Sequence, residues 1–485
     1  MQVNPDFALV IKQKQNRYTL FNEEAIVMQP FARYREIRLN HPFIGRLSGP
    51  VEEDHGGTRM ARRTLIAAAA SLAAVLAVTG CSAGAGNGGE GDAESGDLRV
   101  WLMQDSVSED AVAWLEEEFA AQNPGSTLTV EMQPWDDIVS RLQTSLASES
   151  ETPDIVEIGN TKTATFANVG ALADISDLYD EVDGDDLIPS FVDQATLDGK
   201  TYAYPLYAGT SVVFYRTDLL EKAGIEAPET LDDLVAAAAT VQQANPEGVE
   251  GFKGIYFPVV DVHGLEGWLF SHGANYAEEK DGAWVSGLDT PEAKAALEQM
   301  QTIWKNSALG ALDAKETAGN PWVPYNNGEV AMFSYRVFAQ DSIAPELADV
   351  TGVMALPPVE AGGESHQFLG GSNVGIAAKS SQQELAKKAM KLILSEDFMT
   401  QLAEDSGWVP GNTTFASAIP DGIVDAELQQ QIAETSALTP AAPNWAIVEG
   451  NNIPVDLYSA IAKGEDIDEV VTRIGAKIEE TLNAD

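Results

Sequence analysis

Between Leu98 and Ile158 the hydrophobic pattern changes period again and again, and this alternation constrains the fold more than any other feature. Leu98–Met103 is a short β-type run. Ser106-x-x-Glu109 then has the form of a capping box, and Val112, Leu115 and Phe119 recur at helical spacing until Asn123-Pro124-Gly125 stops the helix. Thr127–Met132 reads as a second strand. Asp136 caps a second helix with Ile138, Leu142 and Leu146 on one stripe, and Pro153–Ile158 reads as a third strand. Strand, helix, strand, helix, strand at this spacing predicts right-handed βαβ units and a parallel sheet. Ligands of such sheets gather at loops beyond the carboxyl ends of the strands. Those loops are Gln104-Asp105, Gln133-Pro134-Trp135 and Gly159-Asn160-Thr161.

Further on, Asp198-Gly199 turns the chain into an extended stretch, Ala203–Phe214. Helices are expected at Leu231–Gln243, at Pro291–Asn306, at Gln383–Ser395 with a continuation to Glu404, and at Asp466–Leu482, where Asp466-x-x-Glu469 marks the start. No period of roughly 20–50 residues recurs, which argues against a solenoid or propeller. A chain of 485 residues favours two domains over one.

The charge is unevenly spread. Of 29 basic and 75 acidic residues, 19 and 68 lie beyond Cys81, a net of −49 for that part. A surface so anionic repels phosphate backbones, so no nucleic-acid partner is expected. Cys81 is the one cysteine, so a disulfide framework is impossible. Only His263, His272 and His366 follow it, so no metal site of the Cys/His kind is expected.

Cys81 ends a segment, residues 60–81, with Arg62-Arg63 ahead of an uncharged run. That run of about 16 residues is shorter than the roughly 20 a bilayer span needs, and its basic flank fits a secretory signal. Val78-Thr79-Gly80-Cys81 resembles a bacterial lipobox, which implies a lipid-anchored cysteine and a protein held on the outer face of the cytoplasmic membrane. A signal should open a chain, so Met60 is the expected start, with 1–59 an upstream segment. Residues 82–97, rich in Gly, Ala, Ser and acids, should form a tether reaching roughly 20–25 Å.

From Asp198 to Leu234 the sequence DGKTYAYPLYAGTSVVFYRTDLLEKAGIEAPETLDDL resembles the signature of the family 1 extracellular solute-binding proteins, the sugar-binding lipoproteins of ABC importers. Three later blocks agree in order: Asn326–Met332, Gly370-Gly371-Ser372-Asn373 to Lys379, and Gly407-Trp408-Val409-Pro410. Gly159-Asn160-Thr161-Lys162-Thr163 and the GGSN block look most like actinobacterial receptors of the chitobiose or N-acetylglucosamine type. The resemblance implies a two-lobed α/β clamp of type II, crossed by the chain about three times. Lobe one would hold 97–206 plus 331–370 and lobe two 212–330 plus 375–485, with crossings near Tyr207–Ser211, Val330 and Gly371–Val374. Gly209 and Gly370-Gly371 suit hinges. The implied partners are a carbohydrate and transmembrane ABC permease subunits, and the implied state is a monomer without cofactor.

A neutral sugar offers hydroxyls at its rim and C–H faces above and below, so its site needs carboxylates and amides beside flat aromatic rings. Gln104 and Asp105 follow the first strand as a polar pair does in maltose-type relatives, and Asn160 and Thr161 follow the third. Tyr207, Ser372 and Asn373 lie in expected crossings. His263 begins a helix facing the expected cleft. Trp445, in Pro443-Asn444-Trp445, stands where family members present an aromatic to sugar. Trp135 and Trp408 are further candidates, whereas Trp114, Trp268 and Trp304 read as core and Trp284 as a surface turn. Phe338 replaces the family's frequent tryptophan, and Tyr335 is a substitute for it.

The rival reading is a secreted lipoprotein glycosidase, but carboxylates are so abundant that their presence discriminates nothing. No H-E-x-x-H or Walker loop occurs, and Gly370–Val374 lacks the last glycine of G-x-S-x-G. An adhesion or scaffold protein has no evident use for hinges and a strand-end pocket.

Overall fold

The computed structural model describes residues 95–310, 312 and 320–484. Segments 1–59 and 60–81, Cys81 and most of the tether lie outside the described residues. Two sheets organise the chain. The first has six strands in the order Val409–Pro410, Tyr204–Gly209, Gly370–Ile376, Ile155–Gly159, Asp97–Met103, Thr127–Gln133. Asp97–Met103 runs parallel to both Thr127–Gln133 and Ile155–Gly159, as the strand–helix alternation requires. Gly370–Ile376 is antiparallel to both of its neighbours. Alternate residues of one strand feed opposite faces. Leu98, Val100 and Leu102 meet Leu115 and Phe119 on one side, while Trp101 and Met103 meet Ile138, Leu142 and Leu146 on the other.

The second sheet has five strands in the order Ala308–Leu309, Lys253–Tyr256, Val330–Arg336, Ser211–Arg216, Thr351–Met354. Its centre is marked by Phe214 stacked on Phe333 with ring centroids 4.7 Å apart. Full burial of each such ring contributes about 1.5–3 kcal/mol. Only Thr210 separates the end of Tyr204–Gly209 in the first sheet from the start of Ser211–Arg216 in the second. The two interiors are not isolated, since Ile188, Phe191, Ala208, Ala403 and Val409 join the apolar cluster of the second sheet.

Several expectations need correction. Val330 is no crossing: Val330–Arg336 is an inner strand of the second sheet, bonded to Ser211–Arg216 and Lys253–Tyr256. Thr351–Met354 also belongs there, so 331–370 is not a block of the first lobe. Gly371–Val374 lies inside a first-sheet strand. Beyond 375 the chain is likewise divided, because Leu385, Met390, Phe398 and Leu402 of the helices Gln383–Ile393 and Glu396–Ser406 pack on the first sheet. Those helices are separate, since the Ser395 side chain caps the second by accepting from the Phe398 N–H.

Two caps also differ. Ser108, not Ser106, caps the helix Glu109–Gln122 by accepting from the Ala111 N–H. Asp137 in a left-handed conformation, not Asp136, precedes Ile138–Ala147. Asp466 does cap Ile467–Leu482, accepting from the Glu469 N–H. Trp284 lies in a strand, Ala283–Ser286, of a small hairpin.

Candidate functional site

A cavity of about 230 Å³ opens beside the second sheet. The loop after Lys253–Tyr256 and the start of the helix Val262–Ser271 that it leads into bring Asp261 and His263 to it, the carboxyl end of Val330–Arg336 brings Tyr335 and Arg336, and the short helix Trp445–Gly450 brings Glu449. Polar groups thus converge from three separate elements, as a binding site requires.

The His263 side chain is 38% exposed although protein surrounds it, which places it on the cavity wall. Its ring stacks on Phe368, 4.1 Å between centroids and 10° from parallel. Its Nδ1–H donates to the buried Glu266 at 2.8 Å. Burial works against the imidazolium, but the Glu266 carboxylate outweighs it and holds His263 above its ordinary pKa. Burial pushes the Asp261 carboxyl up, opposed by the Arg336 guanidinium. Arg336 lies 5.2 Å from the centroid of the Tyr335 ring, whose edge also meets Phe338 and Trp322.

Glu449 is a junction. One carboxylate oxygen accepts from the Trp445 indole N–H at 2.8 Å, and the other is ion-paired with Lys162. Lys162 belongs to the helix Asn160–Asn168, which follows the third strand of the first sheet, so this pair spans the seam between the two halves. Nearby, the Thr165 hydroxyl donates to the Pro443 carbonyl at 2.9 Å, and Gln194 Nε2 donates to the Thr439 carbonyl at 3.2 Å.

A second polar cluster is sealed inside the first half. Glu157 accepts from the Met103 N–H at 2.7 Å, the Ser106 hydroxyl at 2.8 Å and the Tyr207 hydroxyl at 3.2 Å. Burial raises the Glu157 carboxyl above its ordinary value, and these donors pull the other way. Burial also raises the Tyr207 phenol.

Residues 114–452 match the profile of the family described as "Bacterial extracellular solute-binding protein". The chain belongs to that family. Among curated relatives of this solute-binding protein, the diacetylchitobiose binding protein DasA of Streptomyces coelicolor is 31% identical over 83% of this chain and 95% of its own length. A lactose-binding protein of Rhizobium radiobacter is 24% identical over 86% of this chain and 97% of its own. Among solved structures, the sugar-binding protein MalE of Xanthomonas citri superposes with a TM-score of 0.70 at 20% identity, covering 80% of this chain and 97% of that one. The fold is therefore a two-lobed α/β clamp of the periplasmic-binding type.

The twelve expected contacts of this solute-binding protein divide three ways. His263 and Tyr335 line the cavity. Gln104 and Asp105 are exposed at the carboxyl edge of the first sheet, and Trp135, Thr161 and Trp408 are half-buried. Trp408 stacks on Tyr207 at 5.6 Å.

The other five are enclosed, and the structure corrects their expected role. Asn160 uses its Nδ2 to bond the Leu369 carbonyl, Tyr207 and Ser372 join the Glu157 cluster, and Asn373 donates to Thr163. Trp445 is 1% exposed, with its ring against Tyr276. Each faces inward because the pleat or a neighbouring helix leaves no open side. Phe338 packs on Trp322 and Tyr335 instead of standing alone as a wall.

Asp261, Arg336, Glu449 and Lys162 were not among the expected residues. Lys162 carried a signal, being the only basic residue between Arg141 and Lys200. Among the described residues no group of acidic, His or Cys side chains could hold a metal ion, and no helix is long and apolar enough to cross a membrane.

Proposed function

We propose that this protein captures an uncharged mono- or oligosaccharide at the seam of its lobes and passes it unaltered to the transmembrane subunits of an ABC importer. The observation that carries the reading is the cavity itself: the His263 ring, backed by the buried Phe368, and Tyr335 supply flat ring faces, and Asp261, Arg336 and Glu449 supply hydroxyl partners. Gln104, Asp105, Trp135, Thr161 and Trp408 extend the site on the first lobe. Relatives named for diacetylchitobiose, lactose and arabinooligosaccharide support carbohydrate as the ligand class.

Cys81 carries the lipid anchor on the outer face of the membrane, and the protein works as a monomer. Transfer without turnover fits the site better than a glycosidase, which needs two working carboxyls. On the cavity wall Glu449 is tied to the Trp445 indole and Lys162, which leaves Asp261 without a second. Calorimetry of the purified protein against a panel of neutral oligosaccharides, followed by chromatography of the sugar, tests the proposal. Stoichiometric binding with the sugar recovered intact is expected, and cleavage products would reject it.

A further inference from the structure

Lys162 and Glu449 are each placed where a helix disfavours them. Lys162 stands in the first turn of Asn160–Asn168, whose free N–H groups carry partial positive charge. Glu449 stands in the last turn of Trp445–Gly450, whose free carbonyls carry partial negative charge. Apart, the two charges sit at the wrong helix ends. Together they cancel, and they meet only because helices of different lobes are in contact. Both side chains are largely withdrawn from water, at 25% and 21% exposure, so salt screens the pair less than a surface pair. Glu449 also faces the cavity and is oriented by the Trp445 indole.

We infer that Lys162 is a positioning residue for ligand capture: its ion pair with Glu449 latches the lobes shut and aims Glu449 at the bound solute, so that affinity for an uncharged ligand becomes sensitive to ionic strength. Lys162 acts through Glu449 and lobe closure. The inference rests on the cavity being the carbohydrate site. A neutral sugar releases no counterions of its own, so any salt dependence of its binding must come from charges within the protein. The ties Thr165–Pro443 and Gln194–Thr439 join the same surfaces without net charge and cannot supply it.

The test uses the purified protein, the same neutral oligosaccharide panel and the variants K162M, K162R, E449Q and K162M/E449Q. For K162M, affinity should fall about tenfold, mainly through faster release. The wild-type loss of affinity between low and high salt should vanish in K162M and persist in K162R. E449Q keeps an acceptor for the Trp445 N–H, and the double variant should bind no more weakly than K162M. A K162M protein with wild-type affinity and an unchanged salt response overturns the latch while leaving the carbohydrate reading intact. Should the wild type bind no sugar, the carbohydrate reading fails, and scattering from ligand-free protein still decides the latch. A larger radius of gyration in K162M supports it, and identical profiles overturn it.

Discussion

The two lobes use carboxylates in opposite ways. In the first, Glu157 is wholly enclosed and each hydrogen bond it accepts comes from a neighbouring strand or loop, so it fixes the loop after Asp97–Met103 in place. In the second, Asp261 and Glu449 open onto a cavity and are steered by Arg336, Lys162 and the Trp445 indole. A sealed carboxylate is satisfied and rigid. One on a cavity wall beside a cation keeps spare lone pairs for a ligand hydroxyl. The difference separates scaffold from site better than residue type does.

The comparison is broken most forcefully at Trp445. If this residue supports the cavity from behind, Trp445→Ala should cost about 3–5 kcal/mol of unfolding free energy in denaturant titrations. Sugar affinity should suffer less. A large affinity loss with little change in stability would put the ring back on the cavity wall.

Next in size is Glu157→Ala, which strands the Met103 N–H and two hydroxyls in the interior and should cost about 3 kcal/mol. An unchanged denaturation midpoint would remove Glu157 from the scaffold. On the open side, His263→Ala removes a ring from the wall and leaves the buried Glu266 without its donor, so it should weaken sugar binding by about 1–2 kcal/mol and also cost about 1–3 kcal/mol of stability. A loss of stability with sugar affinity unchanged would make His263 a structural residue only.

The pH response sharpens the contrast further. The Glu157 carboxyl binds its proton more tightly folded than unfolded, so its contribution is complete below the ordinary glutamate value of 4.5 and is lost as pH rises through the higher folded value. Glu157→Gln should therefore flatten that acid-to-neutral decline in stability, and a decline of the same depth in both proteins would assign it elsewhere. The smallest effect belongs to Arg99→Ala. Its bridge to Glu131 at 3.0 Å is 37% exposed on both sides, and its loss should cost about 0.2–1 kcal/mol.

The local elements of the first lobe could be read directly, because Leu98–Met103 and the helices after it carry their period within a few residues. Pairing partners could not. Val330–Arg336 is an apolar run that either sheet could accept, and only contacts with Ser211–Arg216 and Lys253–Tyr256, far off in sequence, assign it. His263 and Tyr335, noticed because aromatic and imidazole rings are rare, both stand on the cavity wall. Trp445 was noticed for the same reason and placed on the wrong side, since one residue decides whether a ring at a helix start looks outward or inward. Arg336 and Glu449 were hidden among ordinary charges. Lys162 stood out in an acidic stretch, but its partner lies 287 residues away.

Gly209 ends the strand before Thr210, and its absent side chain leaves room for an indole: a Cβ there would stand 2.7 Å from the Trp408 ring. Trp408 is therefore wedged between Tyr207 and the passage from one sheet to the other. Val409 and Pro410 pair with Ala208 and Tyr207, so the indole and its tyrosine neighbour ride on the same sheet. Any side chain larger than hydrogen at position 209 would have to push the indole off that seat.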